Sequence, residues 1–433
     1  MHAEIGILGG GVTGLSLASF LTAPAEVLER NGEVGGLART FGRNGFLSDI
    51  GGHILFSKDK AALDAMVAAL DDNVAQRRRN NRVLYEGTYV KYPFENDLAA
   101  LPKDAAYDCL IHFIKNDAKP PPHANFQEWM LYTFGRGITE RYLLPYNRKI
   151  WKLDPTLIGT EWVDRIPRPP IEDVVKSALG IATEGYTHQL HFFYPKVNGV
   201  VSLPHAFARE VKKRQSLVLD YEVRSIRRTD RGWVVNDERE YKELVSTIPL
   251  RHLLDALPDV PSRVREAALA LRFNALRVVL FGVGRREGLD EMTAAYIPDE
   301  SVLPHRVCFN CAFSPDMAPP GAASVTCEIT TRPGDGVHEL SDDALADRTL
   351  RDIVSLGILR PDDTIVERVV WREPMAYVVY DGPYAKNQTI ILDFLKALGI
   401  HPAGRFGEHK YVNMDACIRR SLDLAAQLEG TRR

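Results

Sequence analysis

The chain has 433 residues, 45% of them hydrophobic and 26% charged, with a formal net charge of -3. That length calls for two or three structural units, and the composition is that of an ordinary soluble globular protein. The charge balance excludes a generally basic nucleic-acid binder, and no apolar run approaches the ~20 residues of a membrane span. The first strand follows no basic-then-apolar leader, so a cytoplasmic protein with no nucleic-acid partner is expected.

The opening stretch, ILGGGVTGLSL, sets Gly9, Gly11 and Gly14 at GxGxxG spacing, after the apolar run of Ile5, Ile7 and Leu8 and before a helix-like segment. Gly9 permits a tight strand-to-helix turn, Gly11 lets the backbone approach a pyrophosphate, and Gly14 lets helix and strand pack closely. The free N–H groups and partial positive charge of the helix start suit phosphates. The next strand ends at Glu29, where a carboxylate accepts hydrogen bonds from ribose hydroxyls. It leads into a second glycine cluster, VLERNGEVGGLART, with Gly35 and Gly36. Two such clusters around one acid argue for a dinucleotide, and for FAD over NAD.

Residues 3–75 read as a βαβ unit ending in a helix from Lys60 to Leu70. A strand-like piece from Arg82 to Tyr92 carries Glu86-Gly87 as its turn signal. Residues 97–182 read as helical, with a loop at Pro120 to Pro122 and a break near Pro145. Beyond Gln189 the chain becomes strand-rich: LHFFYP, a helix in VNGVVSLPHAFAREVKKR, a β-ribbon in LVLDYEVRSIRRTDRGWVVN and a buried strand in ELVSTIP. The runs RVVLFGVG, HRVCFNCAF and SVTCEIT within 272–331 predict an antiparallel sheet. A helix from Asp342 to Leu356, a strand at TIVERVVWR and a final helix after a glycine-marked turn complete the chain. Helical material between βαβ halves predicts a discontinuous nucleotide-binding domain. The cysteines Cys109, Cys308, Cys311, Cys327 and Cys417 are scattered. The single CxxC lies on a strand-like stretch that would point its thiols apart, so buried thiols are expected rather than a metal site.

In the same order along the chain, EVGGLART, GFLSDIGGHILFS, YPFEN, PYNRKIW and GRFGEHKY resemble segments of the UDP-galactopyranose mutase family, closest to its eukaryotic type. The resemblance extends over nearly the whole chain, whereas an amine oxidase or a desaturase would share only the first and last segments. It implies an α/β fold in which a discontinuous Rossmann-like FAD-binding domain (1–80, 196–262 and 372–433) carries an inserted helical domain (97–185) and an antiparallel β-sheet domain (81–96, 186–195 and 263–371). The implied activity is that of an isomerase interconverting pyranose and furanose forms of a nucleotide-diphospho-sugar through a flavin N5–sugar adduct, with reduced FAD as the active form. NAD(P)H is the implied reductant, near Arg79 and Asn81, and a homo-oligomer is compatible with the resemblance. An FAD-dependent amine oxidase or desaturase is the alternative reading.

The resemblance also assigns residues. Arg165 and Arg306 would hold the leaving diphosphate and, with His53 beside the flavin nitrogen, form the catalytic set. Gly36, Leu37, Arg39 and Thr40 would hold FAD, as would Gly52 and His53 after Gly51. Arg405, between Gly404 and Gly407, would sit at the ring's polar edge, and Asn413 and Met414 would open the last helix toward the flavin. Tyr92, Phe94, Glu95, Gln189, Tyr296, Tyr377, Tyr411 and Asn413 would meet the substrate. Four positions depart from the family: Phe313 replaces a tyrosine, Ala294 a tryptophan, Glu95 a glutamine and Asn81 a serine. A carboxylate only accepts hydrogen bonds. Glu95 therefore suits the donors of guanine or the cytosine amine rather than uracil, unless it turns to solvent.

Overall fold

The computed structural model of the chain describes residues 3–120, 122, 124–163, 166, 168–183 and 190–430. A five-stranded sheet runs Ile400–Pro402, Glu243–Ser246, Ile5–Leu8, Ala25–Leu28, Ser216–Val218, every neighbouring pair parallel. Its two central strands, IGIL and AEVL, are buried along their full length. Parallel strands covered on both faces need such unbroken runs, although Glu26 interrupts this one. The Glu26 carboxylate is satisfied by Ser216, Tyr241 and Arg239. Helix Val12–Phe20 packs between Met414–Gly430 and Ser202–Arg214. The sheet thus draws its strands from three separated stretches of chain, and the fold is a discontinuous α/β one.

A second sheet has seven strands in the order Ile365–Val379, Arg272–Val283, Ala323–Thr331, Arg306–Phe309, Ala294–Tyr296, Asn81–Tyr85, Thr88–Lys91. It is antiparallel except where Ala294–Tyr296 pairs parallel with Asn81–Tyr85. The expected piece from Arg82 to Tyr92 is a hairpin. Glu86 (φ 45°) and Gly87 (φ 78°) take the two positive dihedrals that match a turn to strand twist. Two segments sit elsewhere than expected. His191–Tyr194, from the stretch 186–195, pairs with Ala75–Arg78 in a separate two-stranded sheet. The edge strand Ile365–Val379 carries the large sheet past the expected boundary at 371.

The helical layer contains Lys103–Ile114, Phe126–Ile138, Leu144–Trp151 and Ile171–Ala178. Its break falls at Gly135, not at Pro145. Gly135 has φ 71°, and a Cβ there would lie 2.3 Å from the His112 carbonyl oxygen, so only glycine lets the two helices touch. Pro145 instead lies in the first turn of the next α-helical segment, Leu144–Trp151, after a π-turn at Thr139–Leu143. All five cysteines are buried and free. Among the described residues no helix is long and apolar enough to cross a membrane.

Candidate active site

One cleft of about 1480 Å³ runs from the N-terminal turn, past the glycine loop at Gly51, to the junction of the large sheet with the helical layer. At its first end the two glycine clusters are stitched together: Gly35 N–H donates to the Gly10 carbonyl at 2.8 Å, and Gly11 bridges Gly35. Glu29, 6% exposed, accepts from Gly10 N–H (2.8 Å) and Asn31 N–H (2.9 Å). Its side chain is therefore fixed at the end of its strand with lone pairs to spare. Gly11 has an ordinary extended backbone (φ -78°, ψ -179°), and a Cβ on it would meet only the Gly36 Cα, at 3.9 Å. Nothing in the fold requires glycine there. The space it leaves faces the cleft, where a ligand backbone or phosphate needs close approach. Gly14 lies behind the turn, its added Cβ 2.0 Å from the Gly9 carbonyl oxygen. Leu37 and Arg39 also line the cleft; Arg39 donates to Gly36 O at 2.9 Å and lies over Trp371.

Further along, Asn413 and Met414 border the cleft, Met414 as the first residue of the last helix. Arg405 donates to the carbonyls of Ala376 and Val412 and lies 4.2 Å above the Tyr411 ring. Its buried Nε has no partner among the described residues. His53 donates Nδ1–H to the Gly51 carbonyl at 2.8 Å, because a carbonyl can only accept; this leaves Nε2 as an acceptor. Burial pushes its pKa down to about 4, against the pull of that hydrogen bond and with help from Arg405 and Arg306, so His53 is neutral near pH 7.

Arg306 is held in the cleft by a buried carboxylate. It pairs in register with Glu328 on the neighbouring strand, and the two side chains form a fork–fork pair: Nε to Oε1 at 2.8 Å, Nη2 to Oε2 at 2.6 Å. Glu328 is wholly buried and also accepts from Gly52 N–H at 2.9 Å. Burial is the largest single influence and would raise its pKa, but the Arg306 charge and hydrogen bond, with His305 and the Gly52 N–H, together hold it below the ordinary value. One carboxylate thus fixes both the guanidinium and the glycine loop bearing His53. Gly52 lies against that guanidinium, its added Cβ 3.3 Å from Arg306 Cζ.

An aromatic wall joins the two ends of this region. Centroid distances are 5.0 Å for Phe94–Tyr142, 5.5 Å for Tyr142–Tyr146, 6.4 Å for Tyr146–His305, 6.3 Å for His305–Tyr377 and 5.7 Å for Tyr377–Tyr411. Tyr296 packs on Tyr92 at 4.7 Å and on Tyr146 at 5.6 Å, with Arg79 over the Tyr92 ring.

The structure brings most of the sequence-assigned residues onto this one cleft: His53, Tyr92, Glu95, Tyr296, Arg306, Tyr377, Arg405, Tyr411 and Asn413. Phe94 is not among them. It is fully buried between Tyr85 and Tyr142, because the short turn Phe94–Asn96 drives its ring into the helical layer. Glu95 does not turn to solvent; it is 3% exposed and borders the cleft. Phe313 packs on Phe192 and Tyr194, and Ala294 shares the cleft-facing side of its strand with Tyr296. Arg165 and Gln189 lie outside the described residues.

Sequence reasoning missed Glu328, His305, Tyr142 and Tyr146. For Glu328 a signal existed: one carboxylate inside SVTCEIT, a strand buried at every position, must have a partner. The tyrosines read only as helix packing. His305 is 1% exposed, and burial pushes its pKa down to about 3. Below its ordinary value of about 6.5 the unfolded chain takes up a proton that the folded chain refuses, so this contribution to stability is intact above pH 6.5 and lost as pH falls toward 3. His305→Gln is therefore expected to make the acid limb of chemical-denaturation stability shallower by up to about 1.4 kcal/mol per pH unit. An unchanged limb would show that His305 titrates freely in the fold.

The sequence profile of the flavin containing amine oxidoreductases matches residues 12–427. The chain belongs to this family. Among solved structures it shares the fold of reduced UDP-galactopyranose mutase, with TM-score 0.89 and 24% identity over 100% of this chain and 94% of that one. A protein assigned as a protoporphyrinogen oxidase from Exiguobacterium sp. 255-15 matches at TM-score 0.78 and 18% identity, over 100% of this chain and 99% of that one. Putrescine oxidase bound to putrescine matches at TM-score 0.65 and 15% identity, covering 99% of each chain. The family binds flavin, and the residues of this cleft fit FAD. The space beside Gly11, the fixed Glu29 carboxylate and the unpartnered Nε of Arg405 lie along one continuous channel.

Proposed function

We propose that this flavoprotein is a mutase interconverting pyranose and furanose forms of a nucleotide-diphospho-sugar, working with FAD in its reduced form. The observation that carries this reading is the Arg306–Glu328 pair set in a wall of tyrosines beside the His53 loop. The guanidinium nitrogen that Glu328 does not occupy, Nη1, is a donor that a diphosphate oxygen can accept and that the ammonium of an amine substrate or a polyene cannot. Bound reduced flavin would supply the nucleophile for the anomeric carbon.

The chain's own residues would do the rest. Arg306 holds the diphosphate as it leaves and keeps it in place for return. Tyr296, Tyr377 and Tyr411 offer hydroxyl donors to phosphate oxygens without adding charge. Neutral His53 presents Nε2 as a hydrogen-bond acceptor on the flavin side of the cleft, and Arg405 favours negative charge there. NAD(P)H, as the reductant, would enter beside Arg79, which lies over Tyr92 and donates toward Tyr296. The test compares oxidised and dithionite-reduced protein on a panel of nucleotide-sugars. Ring-form conversion only after reduction, with no reductant consumed per turnover, is expected. Oxygen-dependent amine oxidation without conversion would replace this reading with that of an oxidase.

A further inference from the structure

In the segment PYNRKIW, Tyr146, Asn147, Ile150 and Trp151 line the cleft, and Lys149 does not. Lys149 lies on the helix Leu144–Trp151 and is 8% exposed, and a lysine is seldom buried unless its ammonium is engaged. Its Nζ donates to two backbone carbonyls, that of Asp299 at 2.5 Å and that of Pro304 at 2.6 Å. Both belong to the connector 297–305, which joins strand Ala294–Tyr296 to strand Arg306–Phe309. The residues flanking this connector are Tyr296 and Arg306, partners in register that both face the cleft. One ammonium therefore brackets the loop whose two ends carry donors for the diphosphate. Other ties come from the sheet and from the helix Asp342–Ser355: Ile297 N–H donates to His305 O at 2.9 Å, His305 N–H to Glu328 O at 3.0 Å, and Leu303 N–H to Asp352 Oδ2 at 2.8 Å. Lys149 ties the connector to the helical layer. Tyr146, one turn earlier on the same helix face, packs on Tyr296 and His305.

Resting on the mutase reading, we infer that Lys149 is a positioning residue for the diphosphate, locking the connector so that Tyr296 and Arg306 stay side by side on the cleft wall. Glu328 fixes the guanidinium head of Arg306, whereas Lys149 fixes the backbone from which Arg306 and Tyr296 extend. A donor pair that must meet one leaving group loses much of its effect on drifting by ~1 Å. The charge of the lock is itself sensitive to pH. Burial pushes the Lys149 pKa down to about 7, with help from Lys152 and against the pull of Asp299, Glu300 and Asp352. Asp299 and Glu300 lie on the connector, Asp352 on the helix beyond it, and Lys152 just past the end of the lysine's own helix. His305, its pKa pushed down to about 3, stays neutral near pH 7. Hydrogen bonds from an ammonium are roughly twice as strong as those from a neutral amine. The lock is therefore firm at low pH and slackens as pH rises through about 7.

Steady-state conversion of a nucleotide-sugar by the reduced, flavin-loaded protein tests the assignment. Lys149→Met keeps the stem and removes the donors, and is expected to lower kcat/KM roughly 10- to 100-fold with flavin content unchanged. In an Arg306→Lys background the same change should cost about 3-fold at most, because the guanidinium it places is already gone. The gap between wild type and Lys149→Met should also narrow from about pH 6 to about pH 9, as the wild-type ammonium loses its proton. Packing alone would leave that gap constant. Unchanged activity in Lys149→Met, losses that multiply with Arg306→Lys, or a gap that ignores pH would each overturn the assignment. Should Lys149→Met shed its flavin or melt early, Lys149→Arg decides. Its guanidinium keeps charge and donors throughout this range, so its activity should hold where that of wild type falls. A parallel fall in both would overturn the assignment. A wild-type protein that converts no nucleotide-sugar removes the mutase reading instead.

Discussion

Arg306→Lys is expected to lower kcat/KM for the nucleotide-sugar roughly 100-fold or more while leaving flavin bound. Charge is conserved in this exchange and geometry is not. Arg306 engages both oxygens of Glu328 through Nε and Nη2, leaving Nη1 as the guanidinium nitrogen that this carboxylate does not occupy. Lysine presents one compact ammonium and cannot hold a carboxylate by a fork while offering a second, fixed donor to phosphate. Glu328→Ala should be worse for the fold. The carboxylate is wholly buried and satisfies Arg306 and Gly52 N–H together, and removing one partner of a buried pair typically costs about 3–5 kcal/mol. Both substitutions touch the same interaction, so their effects on stability should be strongly non-additive in a double-mutant cycle. Additive losses would mean that the two side chains act independently. Full activity in Arg306→Lys would remove the diphosphate role.

Two neighbouring glycines should respond in opposite ways. Gly11→Val is expected to abolish most flavin binding and hardly change the stability of the flavin-free protein, within about 0.5 kcal/mol. Its backbone dihedrals suit any residue, and its Cβ would find only the Gly36 Cα at 3.9 Å. The branched side chain would then fill the space reserved for the pyrophosphate. Gly14→Ala should do the reverse. A Cβ 2.0 Å from the Gly9 carbonyl oxygen must push the first helix off its strand, costing roughly 1–3 kcal/mol or more, and flavin would be lost only as the fold loosens. Visible flavin absorbance per protein, read beside urea melts of the flavin-free forms, separates the two effects. Equal flavin loss at equal destabilisation in both variants would mean that Gly11 is a packing residue like Gly14.

The strand–turn–helix of the first glycine cluster was legible because its physics is local. A strand, a turn too tight for side chains and a helix start lie within a dozen residues, and the acid that completes them ends the very next strand. The hairpin around Glu86-Gly87 and the final helix from Met414 were legible for the same reason. The helical break was misplaced by sequence reasoning. Proline is a breaker within its own chain, whereas Gly135 is set by a second helix pressing its His112 carbonyl onto it, and that contact leaves no local trace.

The amino-acid sequence by itself pointed to a dinucleotide at the first turn, and it determined an α/β core interrupted by helices and an antiparallel sheet. Only the tertiary structure decided that Arg306 faces Glu328, that Phe94 turns into the core while Glu95 borders the cleft, and that His191–Tyr194 pairs outside the large sheet. The physical reason is register. Which residues meet across strands, and which of two neighbours on a short turn points inward, depends on chain segments far apart in sequence, and neither periodicity nor spacing encodes that choice.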